Sequence, residues 1–175
     1  MNLNTIAELK RPTSLEDVGP WRDGYSWLAG GTWLFSEPQV AVDTLIDLDG
    51  FGWKPLAVTE KGLEISATCR IVDLHDFEGP ADWRAVPLFS DCIDAFLMSF
   101  KIWNAATVGG NICMSLPAGA MISLTAALEG VCTLWLRGAA PREVPVVEFV
   151  TGNHQNVLQK GELLRSIHLP AQALR

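Results

Sequence analysis

The sequence predicts an α+β fold in two parts, a small parallel βαβ unit over residues 1–52 and a mostly antiparallel sheet with helices over residues 53–175. Three observations predict it. Two short apolar runs, Tyr25-Ser-Trp-Leu-Ala29 and Thr44-Leu-Ile-Asp-Leu48, are separated by a stretch long enough for a crossover, as parallel strands require. Further on, two pairs of strand-like runs each enclose a turn containing glycine, the mark of antiparallel hairpins. Between these regions Gly50-Phe-Gly52 marks a change in composition and a boundary.

Taken in order, Ile6 to Leu9 reads as a short strand. Pro12-Thr-Ser-Leu-Glu-Asp17 reads as a helix start, with Thr13 or Ser14 as cap and acids in the first turn. Tyr25 to Ala29 is short, aromatic-rich and ends on glycines, which predicts a buried strand. Gly30-Gly31-Thr32 then turns the chain into a single helical turn over Trp33 to Ser36. Thr44 to Leu48 is a second strand parallel to that one, and Asp47 and Asp49 read as its polar end.

Pro55 to Thr59 and Leu63 to Ala67 form a hairpin around Glu60-Lys-Gly62. Asp73 is expected to cap a short helix from Leu74 to Phe77, stopped by Gly79-Pro80. Leu88, Cys92, Ala95, Phe96 and Ser99 fall at helical spacing and predict one helix from Pro87 to about Phe100. A helix reaching Glu129 follows, with Pro117 in its first turn and Gly130 just past its end. Val131 to Leu136 and Arg142 to Val146 form a second hairpin around Gly138-Ala-Ala-Pro141. Glu162 to Leu169 closes the fold as a strand stopped by Pro170.

Composition narrows the function. A net charge of −7 without a Lys/Arg cluster argues against a nucleic-acid surface, so a bound phosphate would be held by backbone amides and helix N-termini. No apolar run has the length of a membrane span, and the N-terminus lacks the pattern of a signal peptide, so a cytoplasmic protein is expected. Cys69, Cys92, Cys113 and Cys132 lack a CxxC pair and read as buried or partly buried thiols rather than as a metal set. The seven tryptophans suggest aromatic packing at a ligand or chain interface.

Two motifs carry the chemistry. Asn104-Ala-Ala-Thr-Val-Gly-Gly-Asn-Ile112 and Leu28-Ala-Gly-Gly-Thr-Trp33 each hold a glycine pair beside polar residues. Glycine accepts φ > 0 and has no Cβ, so consecutive amides can converge on an anion. Together the motifs are expected to hold the two ends of one ligand, although two ordinary tight turns would leave the same trace. A Rossmann fingerprint and a P-loop are both missing. His75, His154 and His168 read as surface residues or as supports for other residues, Ser115 and Ser123 lack a nucleophile elbow, and Asp91 and Asp94 read as one solvated helix face. With no acid, base or nucleophile in evidence, no catalytic residue is assigned, and chemistry carried by a bound organic cofactor fits the gap.

The stretches Ala29-Gly-Gly-Thr-Trp33, Asn104 to Ile112, Phe149-Val-Thr-Gly152 and Gly161 to Pro170 resemble the FAD-binding subunit of molybdopterin hydroxylases. This is the carbon monoxide dehydrogenase medium-subunit and xanthine dehydrogenase FAD-domain family. The resemblance runs in order from about Pro12 to Pro170. It implies a two-subdomain FAD-binding fold with FAD between the parts. It also implies an electron-transfer role with a molybdopterin-binding large subunit and a 2Fe–2S small subunit, electrons passing to FAD and on to NAD or another acceptor.

By the same resemblance Ala29, Gly30, Gly31 and Thr32 contact the pyrophosphate, with Trp33 and Leu34 continuing the loop. Thr107, Gly109, Gly110 and Asn111 form the opposing loop. Ser115 and Pro117 belong to a segment beside the ribose and adenine, and Leu164 falls where the chain passes the isoalloxazine. Two departures, Ala120 where the family carries an acid and Trp103 where an Arg is often seen, keep a second reading open: a non-enzymatic member serving as a binding or assembly module. Members usually continue past the equivalent of Pro170 into a C-terminal domain, whereas this sequence ends at Arg175, so a member without that domain is expected, and a homo-oligomer of the isolated chain is a further expectation.

Overall fold

The computed structural model describes residues 3–95 and 98–175. The parallel sheet contains β1 (Glu8–Lys10), β2 (Tyr25–Leu28) and β3 (Thr44–Asp47) in the order β1-β3-β2. The central strand β3 pairs in parallel with both neighbours and is buried at every residue. The Tyr25 run, expected to be buried, is instead an edge strand, half-buried along its length, because only one of its sides meets another strand.

Helix α1 (Leu15–Val18) starts at Ser14, whose hydroxyl accepts from the Asp17 amide at 3.3 Å. The Asp17 carboxylate accepts in turn from the Ser14 amide at 2.9 Å and the Thr13 amide at 3.1 Å. Ser14, not Thr13, is therefore the cap of a reciprocal capping box. Ser14→Ala should lower the unfolding free energy by about 1 kcal/mol, read as a shift of the urea midpoint at constant slope. An unchanged midpoint would remove the cap from the account.

The second sheet is built from β4 (Leu56–Thr59), β5 (Gly62–Ser66), β6 (Val131–Trp135), β7 (Arg142–Pro145) and, after the short pair β8 (Val150–Gly152) and β9 (Gln155–Asn156), the long strand β10 (Leu163–Pro170). Its order is β4-β5-β10-β6-β7, antiparallel throughout, so both predicted hairpins are present and the last strand lies at the centre. Ile167 stands opposite both Ile65 and Cys132. Against the inner face pack Val108, Ile112, Met121 and Leu124 from two helices and Phe89 and Ile93 from a third, forming one continuous core. No helix among the described residues is long and apolar enough to cross a membrane.

Four helix expectations change. Helix α2 spans Ile71–His75, with Asp73 three residues inside rather than at the cap, because its carboxylate reaches back to the Arg70 amide at 3.4 Å. The single helix from Pro87 to Phe100 is two elements, α3 (Pro87–Asp94) and α4 (Phe100–Trp103), with Ser99 at the N-cap of the second; Phe96 lies outside the described residues. Helix α3 also turns a different face inward: Phe89 and Ile93 are buried while Leu88 is 45% exposed. Both pairs have helical spacing, and the one with the larger combined side chains takes the core. Beyond α5 (Val108–Met114), helix α6 covers only Ala120–Ala127, so Pro117 precedes it, and Glu129 rather than Gly130 takes the left-handed conformation at φ 55°. Two short helices complete the chain, α7 (Val146–Phe149) and α8 (Ala171–Leu174).

Candidate functional site

A cavity of about 630 Å³ lies where the end of β2 faces α5, with walls drawn from both sheets' surroundings. Its size is that of a cofactor site. The first wall is the loop after β2. A Cβ on Gly30 would lie 1.9 Å from the Ala105 carbonyl oxygen, so only glycine lets this loop approach the backbone before α5. Gly31 has φ +69°, and its carbonyl accepts from the Phe35 amide at 2.8 Å, closing one helical turn. The amides of Gly30, Gly31, Thr32, Trp33 and Leu34 meet no hydrogen-bond acceptor among the described residues. Free consecutive amides in such a turn form a concavity for an anion.

The second wall is built differently from the sequence expectation. Thr107 to Met114 is not a turn: Thr107 caps α5, and Gly109 and Gly110 are ordinary helical residues without positive φ. The first-turn amides are already taken up. Val108 donates to the Cys69 carbonyl at 2.8 Å and Gly109 to the Ala67 carbonyl at 3.1 Å. Gly110 donates to the Thr107 hydroxyl at 3.1 Å and Asn111 to the Thr107 carbonyl at 3.0 Å. The expected converging amides of this motif are therefore used inside the fold. Gly109 serves packing, since a Cβ there would sit 2.5 Å from that of Ala67.

Of the residues singled out by sequence, Ala29, Gly30, Gly31, Thr32, Trp33, Leu34, Thr107, Gly109, Gly110, Asn111 and Leu164 all line this cavity. Ser115 and Pro117 do not. Ser115 is buried in a left-handed conformation at φ 51°, its hydroxyl accepting from the Asn156 side chain at 3.2 Å, and Pro117 is exposed. Asn111 presents only part of its amide to the cavity, because its Oδ1 accepts from the Met121 amide at 3.2 Å and so anchors α6. Trp33 packs against His154 at 5.5 Å between centroids, the rings tilted by 40°, which joins the first loop to the β8–β9 turn. Of the two departures from the family pattern, Trp103 lies against His75 at 5.1 Å, and neither it nor Ala120 is on the wall.

Sequence reasoning missed Trp27, Leu48, Ile102, Cys113, Leu158 and Leu163. Leu163, Cys113 and Trp27 each adjoin a stretch the sequence had marked, whereas Leu48, Ile102 and Leu158 reach the wall through tertiary folding. No charged side chain among the described residues lines the cavity, and Cys113, on its wall, has its thiol pushed up to about 12 by burial. The wall thus holds no acid, base or thiolate at neutral pH. It offers free amides to phosphate and apolar surface to flat rings, and FAD has both parts.

Residues 4–172 match the family described as the FAD binding domain in molybdopterin dehydrogenase. No curated protein sequence matches the chain. Among solved structures, quinoline 2-oxidoreductase from Pseudomonas putida 86 superposes with a TM-score of 0.82 at 21% identity, covering 98% of this chain and 61% of that one. Carbon monoxide dehydrogenase from Hydrogenophaga pseudoflava, in a form lacking the Mo-pyranopterin moiety, gives 0.81 at 22% identity, covering 94% and 59%. Reconstituted CO dehydrogenase from Oligotropha carboxidovorans gives 0.80 at 20% identity, covering 93% and 58%. The chain thus spans about three fifths of the length of these similar structures. With the family matched over nearly its whole length, the chain belongs to the FAD-binding domains of molybdopterin dehydrogenases, and its cofactor is FAD.

Proposed function

We propose that this chain is the flavin-bearing electron-transfer part of a molybdenum hydroxylase-type dehydrogenase. It would take electrons from a molybdopterin-binding large subunit through a 2Fe–2S small subunit and pass them to NAD or another acceptor. The observation that carries this reading is that Gly30 to Leu34, whose amides meet no acceptor among the described residues, line an apolar cavity. Those amides would receive the pyrophosphate, Thr107 and Asn111 would border it, and Leu164 would lie along the isoalloxazine. Ser115 and Pro117 would act only indirectly, by shaping the turn toward the adenine end. When bound, the flavin supplies the redox chemistry, while the protein supplies position and a dry surface. We place the boundary between the two FAD-binding subdomains at Gly52 and Trp53.

Titration of the purified chain with FAD, followed by absorbance and gel filtration, tests the binding; reduction of the bound flavin by partner subunits tests the electron path. Failure to take up FAD would leave the second reading, a binding or assembly module, which is favoured by the uncharged wall beside Ala120. Salt adds a sharper check. With no cationic side chain among the described residues of the wall and a net charge of −7, FAD affinity should stay level or rise slightly as NaCl goes from about 0.05 to about 0.5 M, because screening weakens only the repulsion. A steep fall would place an unseen cation at the phosphates.

A further inference from the structure

We propose that Trp27, Trp21 and Tyr25 form a one-electron conduit from the cavity wall to the protein surface. The proposal rests on the reading of the cavity as a flavin site, because the isoalloxazine is the oxidant that the conduit serves. Trp27 lines the cavity, and its indole Nε1 donates to the Glu162 carbonyl at 3.1 Å, which fixes the ring beside Leu163 and Leu164. Trp21 follows at 4.8 Å between centroids, tilted by 36°, and Tyr25 stands 5.6 Å from Trp21 at 86°. These are separations at which ring edges and faces touch. Trp21 is held in place by Gly161, where an added Cβ would lie 2.9 Å from the indole Cγ.

The chain of rings ends on a phenol in an edge strand. Tyr25 Oη accepts from Lys10 Nζ at 2.7 Å, and the Arg22 guanidinium carbon lies 4.4 Å from its ring centroid. The Lys10 hydrogen bond, with help from Arg22, holds the phenol below its usual range and eases loss of its proton. Among the described residues the other tryptophan on the wall, Trp33, meets only the tilted ring of His154, which is hard to oxidise, so that pair leads nowhere.

The transfer balances. With a flavin bound in the cavity and excited by blue light, Trp27 would give up one electron to it, Trp21 would refill Trp27, and Tyr25 would refill Trp21. The Tyr25 O–H bond breaks, and its proton leaves to water because neighbouring Lys10 and Arg22 offer no base. One electron has moved from Tyr25 to the cavity-bound acceptor, and one proton from Tyr25 to solvent. The conduit thereby carries the oxidising equivalent away from Cys113 and Met114 on the cavity wall.

Tyr25 is the only tyrosine in the chain, so a tyrosyl signal has a single source. The full chain is loaded with FAD, its flavin content measured, and the sample illuminated for electron paramagnetic resonance and flavin fluorescence lifetimes. A light-dependent tyrosyl signal is expected. Trp27→Phe should lengthen the flavin lifetime and abolish the signal, Trp21→Phe should keep the short lifetime and lose the signal, and Tyr25→Phe should replace it with a tryptophan radical. Flavin content confirms that each variant has folded. Bound FAD without a tyrosyl signal, or an unchanged lifetime in Trp27→Phe, overturns the conduit alone. Absence of FAD binding overturns the cavity reading and the conduit with it.

Discussion

Gly30→Ala is expected to abolish stable FAD binding and to lower the unfolding free energy by about 3 kcal/mol or more, the upper range for overpacking against an unyielding neighbour. The reason is geometric. The new methyl would sit 1.9 Å from the Ala105 carbonyl oxygen and 3.0 Å from the Ala106 Cα, and both atoms are backbone. The loop must therefore move away from α5, which displaces the free amides from Gly30 to Leu34 together. Flavin-to-protein ratio after gel filtration and urea unfolding would read both effects. A Gly30→Ala protein that keeps its flavin would show that this close approach is not needed for the site.

Arg142→Ala should cost about 3 kcal/mol, the lower end for breaking a buried ion pair, because the arginine is itself about a third exposed. Its Nε and Nη2 grip the two Glu162 carboxylate oxygens at 2.7 Å each, and Nη2 also donates to the Val157 carbonyl at 2.9 Å. The Glu162 side chain is 2% exposed, so removing the guanidinium strands a charge. Burial pushes the Glu162 carboxyl up, but the Arg142 bonds and the Gln159 amide outweigh it and hold the group below its usual value of 4.5. In the parent, that contribution is present above the unfolded value and is lost as pH falls through the lower folded value. In the variant, the carboxyl left buried without its partner should titrate above its ordinary value. The stability gap between the two proteins should therefore narrow as pH drops from 7 toward 4.5. Urea unfolding at the two pH values decides it, and a constant gap would mean that Glu162 is not the cause.

The sheet was legible because its signals are local. Period-two alternation and glycine turns marked the two hairpins, and the apolar run Glu162 to Leu169 marked β10, which in the structure extends to include Pro170. Whether a strand is central or at the edge depends on what pairs with its other side, so the burial of β2 and β3 could not be ordered from sequence. The face of α3 was misread because Leu88/Cys92 and Phe89/Ile93 are equally helical pairs, one residue apart. The two glycine motifs were found, but they are chemically unlike. Gly31 uses positive φ, whereas Gly109 clears a path for Ala67, a distinction set by contacts distant in the chain. Trp27 was missed as a wall residue for the same reason: its place follows from the Glu162 carbonyl far along the chain.

The unequal use of amides on the two walls divides the site in time as well as in space. Hydrogen exchange should find the amides of Val108 to Asn111 protected before any cofactor is present, since each is bonded within the protein. Those of Gly30 to Leu34 should exchange freely and slow only when FAD is bound. One wall is then a finished surface against which the other is ordered, and the entropic cost of binding falls on a single short loop.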